Sequence, residues 1–403
     1  MMRRTCLCCL LGLYAPLGLA QDFKLHAWLD GRLVAAPDET SWTNGGLGKT
    51  RFGGGGVDAR FGGAGLVGTA QFTPALLALA TIQFQNTDYP TMNAIEAYLR
   101  YRPVSLSRWR WSVQAGAFVP PISLENDAIG WTSPWTLTPS AINSWVGEEL
   151  RAVGAEGRLE WRGDAATWEL RSALFRRNDP AGKLLAVRGW SLSDLTYGLG
   201  SRLREPEATV RQNGGQSPGR YDPFQNIGHR NGWYADLDWR TPGGSRVSLM
   251  RYDNRADPAA HSDSGVFAWH TWFWNLGATA DTGPIRWIAQ AMDGGTVIEP
   301  VDGLRFETRF RSAFLLAGWN RGAWRPALRI EHFSTRDPVS DAGIAQGEHG
   351  NAVTAALNWR PRDWLRLSAE VLRIDSVRTQ RADVGLTPAS TITQVQLGVR
   401  LIY

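Results

Sequence analysis

The last ten residues, Gln394-Val395-Gln396-Leu397-Gly398-Val399-Arg400-Leu401-Ile402-Tyr403, decide the fold. Val395, Leu397, Val399, Leu401 and Tyr403 fall on one face of an extended chain. Gln394, Gln396, Gly398 and Arg400 fall on the other. Side chains on a strand point alternately to opposite faces. This segment therefore predicts a strand with an apolar side for lipid and a polar side for a lumen.

The pattern repeats upstream. Trp109, Trp111, Val113 and Ala115 oppose Arg110, Ser112 and Gln114. Val153, Ala155, Leu159 and Trp161 oppose Glu156, Arg158 and Glu160. Trp168, Leu170 and Leu174 oppose Glu169 and Arg171. Leu237 and Trp239 oppose Asp236, Asp238 and Arg240. Leu328 and Ile330 oppose Arg325, Arg329 and Glu331, and Leu365, Leu367 and Ala369 oppose Arg366, Ser368 and Glu370. The runs are roughly 8 to 12 residues long, the length that a tilted barrel strand needs to cross a bilayer. No stretch after Ala20 reaches the roughly 18 apolar residues of a membrane helix.

A soluble sandwich also alternates. Two features favour a membrane barrel. Charges of both signs crowd the polar face of nearly every run. Aromatics such as Tyr101, Trp161, Trp168, Trp239 and Trp359 sit near run ends, where girdles at the two interfaces would place them. Short turn signals at Arg162-Gly163-Asp164, Thr241-Pro242-Gly243-Gly244, Asp281-Thr282-Gly283-Pro284, Asn320-Arg321-Gly322 and Arg360-Pro361-Arg362-Asp363 read as periplasmic hairpins. They alternate with longer polar stretches, roughly 177–196, 198–231, 254–265, 294–303 and 334–351. The expected fold is all-β: a transmembrane antiparallel β-barrel of about 16 strands, with 14 or 18 as alternatives.

Composition agrees. The chain has 403 residues with 44 Gly and 20 Trp, and a hydrophobic fraction of 43%, too low for a helical membrane protein. Arg3 and Arg4, an apolar run over Leu7 to Leu13 and the ending Leu17-Gly18-Leu19-Ala20 read as a signal peptide, 1–20, leaving 21–403 as the barrel of a Gram-negative outer membrane. All three cysteines, Cys6, Cys8 and Cys9, lie in that leader, so a disulfide or a cysteine-held metal is not expected in the barrel. The net charge is +5, and of the 43 basic residues only Lys24, Lys49 and Lys183 are lysine. An arginine-lined lumen would attract anions; a GC-rich genome would produce the same bias. A nucleic-acid partner is not expected of an exported chain.

Motifs for chemistry are weak. Gly45-Gly46-Leu47-Gly48-Lys49-Thr50 looks like a phosphate loop, but Thr43 stands where the first glycine belongs, and Gly53-Gly54-Gly55-Gly56 follows where a helix should start. The six histidines show no i, i+4 spacing, and there is no G-x-S-x-G elbow. Neither catalytic residues nor a cofactor or metal are expected, and the chain does not read as an enzyme.

The stretch Ala115-Gly116-Ala117-Phe118-Val119-Pro120-Pro121-Ile122-Ser123-Leu124-Glu125 resembles the segment after an early strand in the phosphate-selective porin O/P-like family. Gly116, Phe118, Pro121, Ser123, Leu124 and Glu125 carry the match. The family's lysine is Val119 here and an aromatic is Ile122, which weakens phosphate specificity. The resemblance implies a 16-stranded, trimeric pore with a loop folded inward. Residues 120–147 would be that loop, with Glu125, Asp127, Trp131 and Trp135 as constriction candidates; a loop packed on the outer rim is the alternative. Tyr403 and the residues before it resemble the terminal signal read by the barrel assembly machinery, which usually ends in Phe.

The expected function is passive diffusion of small hydrophilic solutes through the outer membrane, with anion preference. Candidate pore-lining residues are Arg110, Arg158, Arg171, Arg325, Arg329 and Arg366. A barrel enzyme acting on lipid, or a structural or adhesive barrel, are the alternatives. A transporter with an N-terminal plug is not expected, because little chain precedes the first strands.

Overall fold

The computed structural model describes residues 21–86, 92–207, 210, 219–301, 303–337 and 346–403. The leader read at 1–20 lies outside the described residues. The strands are β1 (Asp22–Ala35), β2 (Val57–Gln71), β3 (Leu76–Phe84), β4 (Met92–Tyr101), β5 (Trp109–Phe118), β6 (Ala152–Arg162), β7 (Thr167–Arg176), β8 (Leu203–Arg204), β9 (Arg220–Tyr221), β10 (Gly232–Arg240), β11 (Arg246–Asp253), β12 (His270–Thr282), β13 (Ile285–Val301), β14 (Leu304–Trp319), β15 (Trp324–Asp337), β16 (Gln346–Arg362), β17 (Leu365–Arg378) and β18 (Ala389–Ile402). Among the described residues, the α-helices α1 (Ala141–Glu149) and α2 (Lys183–Val187) stand between them.

Sixteen strands form one closed antiparallel barrel; β8 and β9 pair separately. Each barrel strand pairs with its sequence neighbours, and β18 closes onto β1 with Leu29 opposite Leu401 and Asp30 opposite Arg400. Tyr403 exchanges backbone hydrogen bonds with Ala27 at 2.8 and 2.9 Å. Closure pairs the edges that hydrocarbon could not solvate.

The outward face is apolar and ringed by aromatics at the end with short turns. Trp109, Trp161, Trp168 and Trp239 lie in one cross-strand row. Trp324 and Trp359 stack with centroids 5.2 Å apart. Such pairs stiffen a sheet beyond simple burial. On β14 the outward sequence rises from Trp319 through Ala317, Leu315 and Ala313 to Arg311 and Arg309, where the apolar belt ends. Strands β12 to β18 run 13 to 17 residues, longer than crossing requires, and their loop-side ends stand clear of the belt. This is an outer-membrane architecture, and the chain resides in the bacterial outer membrane.

All the expected hairpin turns fall at one end. The longer connections fall at the other, with differences. Residues 177–231 form one connection that carries α2, β8 and β9. The stretch 294–303, expected as loop, is mostly strand: β13 runs to Val301 and β14 begins at Leu304. Strand likewise occupies much of 334–351, through Asp337 and again from Gln346; residues 338–345 lie outside the described residues. Alternation fades there because these strand ends leave the lipid and need no apolar face.

Leu315 sits mid-belt on the lipid side. Leu315→Arg should destabilise the folded barrel by about 2–4 kcal/mol, the cost of a guanidinium at the bilayer midplane. Urea titration of the chain refolded into lipid vesicles reads this; an unchanged midpoint would remove Leu315 from the membrane belt.

Candidate functional site: the lumen and its inward segments

Residues 119–151, between β5 and β6, fold into the barrel rather than over its rim. The wall receives them in small-residue sockets. A Cβ on Gly318 would lie 2.3 Å from the Trp135 ring, one on Gly277 2.6 Å from Leu124, and one on Gly398 3.2 Å from Leu137. Only the absence of side chains on β12, β14 and β18 lets these three residues seat.

Polar wall residues then fasten the segment's backbone. Gln290 accepts from Leu124 N–H at 3.0 Å and donates to Ile122 O at 2.9 Å. Asn358 donates to Trp135 O at 2.7 Å, and Glu370 accepts from Thr138 N–H at 3.1 Å. Arg366 donates to Ser133 O at 3.1 Å, and Arg400 to the Thr132 hydroxyl at 3.1 Å. An irregular backbone inside a barrel must find such partners.

Arg329 is the central fastening. It is 0% exposed, and all its nitrogens donate. Nε bonds Glu331 at 2.9 Å, Nη1 bonds Glu125 and Thr138 O, and Nη2 bonds Pro139 O at 3.1 Å and Thr354 at 3.0 Å. Glu125 also accepts from Ser140 N–H at 2.9 Å and from Asn143 at 3.0 Å. Glu331 accepts from Ala141 N–H at 2.7 Å, placing a carboxylate at the start of α1, where the helix dipole favours it. Ser140 caps the same end. At the other end Arg151 donates to the carbonyls of Val146 and Gly147 at 3.2 and 3.1 Å.

Residues 178–197 of the next connection fold in above the first segment. Glu149 ties the two together, accepting from Tyr221 at 2.6 Å, Trp145 at 2.7 Å, and the N–H groups of Gly182 and Leu184 at 3.0 Å. Trp190 donates to Ser334 O at 2.9 Å and packs edge-on against Trp145. Lys49, from the glycine-rich stretch that mimicked a phosphate loop, is buried against Glu348 and Trp190 O instead.

The lumen therefore has two halves. On the loop side, inward Phe175, Tyr252, Phe273, Phe310, Phe333 and Ile374 join Trp145 and Trp190 in one apolar core. A polar inward face was expected along whole strands; it holds only for the turn-side half. There β6, β7, β10 and β11 carry a charge ladder: Arg158 bridges Glu160 at 3.0 Å and Glu169, and Arg240 meets Asp238 at 2.6 Å. Opposite, Arg325, Arg360, Arg366 and Arg400 stand on β15 to β18. Arg400 bonds Asp30 at 2.7 Å, while Arg366 Nε and Nη2 have no protein partner.

All six candidate arginines point inward, but they differ in access to water. The side chains of Arg158 and Arg171 are 29% and 15% exposed, and Arg110 and Arg325 are half-buried. Arg329 and Arg366, at 0% and 2%, lie beneath the inward segment. Of the loop candidates, Glu125 is buried on Arg329 and Trp135 sits in the Gly318 socket. Trp131 is half-buried, with φ +60. Asp127 is exposed at the segment's tip, facing Arg246, Arg286 and Arg360. Sequence reasoning did not single out Arg151, Glu149 or Trp190, and it placed Glu370 only on the polar face of its strand. A signal existed: Leu184, Leu185, Trp190 and Leu192 are too apolar for an exposed loop. Among the described residues, no cluster of three or more His, Cys, Asp or Glu offers a metal site.

A scan against protein-family models finds no match, and a search of curated proteins finds none. Solved structures do resemble the chain. The outer-membrane channel DcaP of Acinetobacter baumannii matches with TM-score 0.55 and 11% identity, covering 95% of this chain and 97% of that one. A loop-deletion mutant of OmpT, an outer-membrane protein of Vibrio cholerae, matches with TM-score 0.55, 10% identity and 95% and 99% coverage. An anion-selective porin from Comamonas acidovorans matches with TM-score 0.51, 13% identity and the same coverages. At these identities the likeness shows the fold, a porin-like barrel.

Arg329→Met should cost about 3–5 kcal/mol, because Glu125 and Glu331 are left buried without their cation. Unfolding in denaturant monitors this, and a loss below about 1 kcal/mol would mean that the segment is held mainly by its apolar sockets.

Proposed function

We propose that the chain is an outer-membrane channel for small hydrophilic solutes with a preference for anions. The observation that carries this reading is a closed 16-strand barrel whose turn-side half is a charged, water-exposed vestibule narrowing onto an inward-folded segment. A vestibule walled by low-dielectric protein focuses the field of its charges. On β6, β7, β10 and β11 the turn-side arginines Arg158, Arg162, Arg171, Arg240 and Arg246 each meet a carboxylate, and the contributions largely cancel. On β15 to β18 the guanidiniums of Arg325, Arg360, Arg366 and Arg400 outnumber Asp30 and Asp127, leaving a positive wall. The likeness in fold to a porin that is itself anion-selective supports the same direction.

Phosphate in particular is less supported. The stretch 115–125 that carries the resemblance to phosphate-selective porins serves here as an anchor: Glu125 is spent on Arg329, and Leu124 on the Gly277 socket. The class of small anions is therefore the substrate proposed. A homotrimer, and delivery to the membrane by the assembly machinery through the β18 strand and Tyr403, complete the reading.

A structural or adhesive barrel is favoured by one observation, the apolar core that fills the loop-side lumen. Bilayer recordings separate the two. The channel reading expects discrete current steps and an anion-favouring reversal potential under a salt gradient. Substituting Arg325 and Arg360, the two half-buried arginines of the positive wall, together by Ser should move that potential towards cations. Steps with an unmoved potential would discard the arginine wall as the selectivity element, and folded protein without steps would favour the structural barrel.

A further inference from the structure

The plug formed by the two inward segments does not meet the barrel wall uniformly. From β5 to β17 the contact combines the aromatic and aliphatic core with the polar fastenings of Gln290, Arg329, Asn358, Arg366 and Glu370 already described. Against β1, β2, β3 and β18 it is polar. A small cavity of about 20 Å³ lies there, lined among others by Gln83, Gln85, Asn126, Thr132, Asp194 and Arg400. Around it, buried polar atoms collect without protein partners: Trp28 Nε1, Asp30 Oδ1, Gln83 Oε1, Asn126 Oδ1 and Arg400 Nε. Buried polar atoms are ordinarily satisfied by protein or by water. Other such atoms lie elsewhere in the lumen, on β12, β14 and β15 to β17 among them, but these five surround one cavity in the seam between plug and wall, which suits it to hold water.

A second cavity, of about 130 Å³, opens on the loop side and is lined by Thr43, Asn44, Arg51, Phe52, Arg60 and Asn86. Asp194 lies between the two. Its carboxylate accepts from Arg32 on β1 at 2.7 Å and from Arg51 at 3.0 Å. Arg32 and Arg51 belong to the wall side of the seam, whereas Asp194 arrives on the 177–231 connection. Arg51 also donates to Gly62 O at 2.6 Å, and Arg32 to Asp30 at 2.8 Å and Gln396 at 3.1 Å, so both guanidiniums stay in place independently of Asp194.

We propose that this seam is the solute path through the plug, and that Arg32 and Arg51 form an anion subsite which Asp194 occupies as a tethered carboxylate. The proposal rests on the channel reading above. Two preorganised guanidiniums suit a carboxylate in geometry and charge. Withdrawing Asp194 alone would leave buried Arg51 without a carboxylate, and Arg32 and Arg400 sharing the single carboxylate of Asp30, which is unfavourable. A small carboxylate that takes its place removes that cost, so the solute itself favours the open arrangement. With Asp194 displaced, Arg32, Arg51 and Arg400 face the single carboxylate of Asp30, and the path is positive along its length.

The test uses single-channel currents of the full chain, refolded into planar bilayers. Asp194→Asn keeps the side chain's size and removes its charge. Its conductance in sodium chloride should rise several-fold over the parent. Acetate should raise the parent's conductance and leave the variant's unchanged. With Cys6, Cys8 and Cys9, the chain's three cysteines, replaced by Ser, Gln83→Cys gives a unique reporter in the seam, and Met292→Cys one in the apolar core. A charged thiol reagent should block the first and spare the second. Currents that ignore both Asp194→Asn and the Gln83→Cys reagent would overturn the seam while leaving the channel standing. Silence from parent and Asp194→Asn alike, in protein shown to be folded by its heat-modifiable gel mobility, would overturn the channel reading and the seam with it.

Discussion

Hydrocarbon offers no partner to a peptide group, and the rest of the molecule follows from that constraint. Every strand must pair on both sides, so the sheet must close, and β18 must come home to β1. Closure sets strand against strand in sequence order, which makes the turns at one end short. It also fixes the period at two, since each residue faces either lipid or lumen. The tryptophan row across β5, β6, β7 and β10 marks the level at which hydrocarbon gives way to headgroups, because indole is apolar in body and polar at its edge.

A barrel of this size leaves an interior too wide for its own side chains to fill. This chain fills half of it with its own connections. An inserted segment brings backbone N–H and C=O groups that need partners, and the wall supplies them from Gln290, Arg329, Asn358, Arg366 and Glu370. Arg329 is suited to this because one planar fork reaches two carboxylates, two carbonyls and a hydroxyl at once. A lysine could hold one or two of those groups and would leave the rest buried and unpaired. The wall glycines do the complementary steric work, so shape and hydrogen bonding fix the same register of the segment against the wall.

The barrel was legible in the sequence because lipid imposes its pattern on every strand, and Val395 to Tyr403 or Trp161 to Trp168 show it with no other information. The division of the lumen was not. Arg158 and Arg329 look alike in sequence: each is an arginine on the polar side of an alternating run, with a leucine beside it. One faces water and the other is sealed under Pro139. What separates them is the sector of wall on which the inward segment leans, a relation between residues some 200 positions apart that no local period reports. The connection 177–231 misled for a related reason. Its length suggested an exposed loop, whereas Trp190 and Leu192 spend their apolar surface inside the barrel. A closer reading would have asked where that surface could be buried.

The two halves of the lumen impose opposite demands on a solute. The turn-side vestibule is wet and charged, so it gathers ions but discriminates weakly, since water screens its arginines. The loop-side core is dry and excludes ions altogether. Discrimination is strongest where charges are preorganised and water is scarce, and only the boundary between core and wall combines the two. Along most of the circumference that boundary is closed by aromatic contact and by polar groups bonded to the plug's backbone. Beside β1, β2, β3 and β18 it is built instead from guanidiniums, carboxylates and amides, some with hydrogen-bonding capacity left over. A protein that only needed a rigid filler would gain stability by making that sector apolar too, because incompletely paired buried polar groups are costly. Their grouping around the Asp194 cavity is therefore a part of the plug that stability alone does not explain.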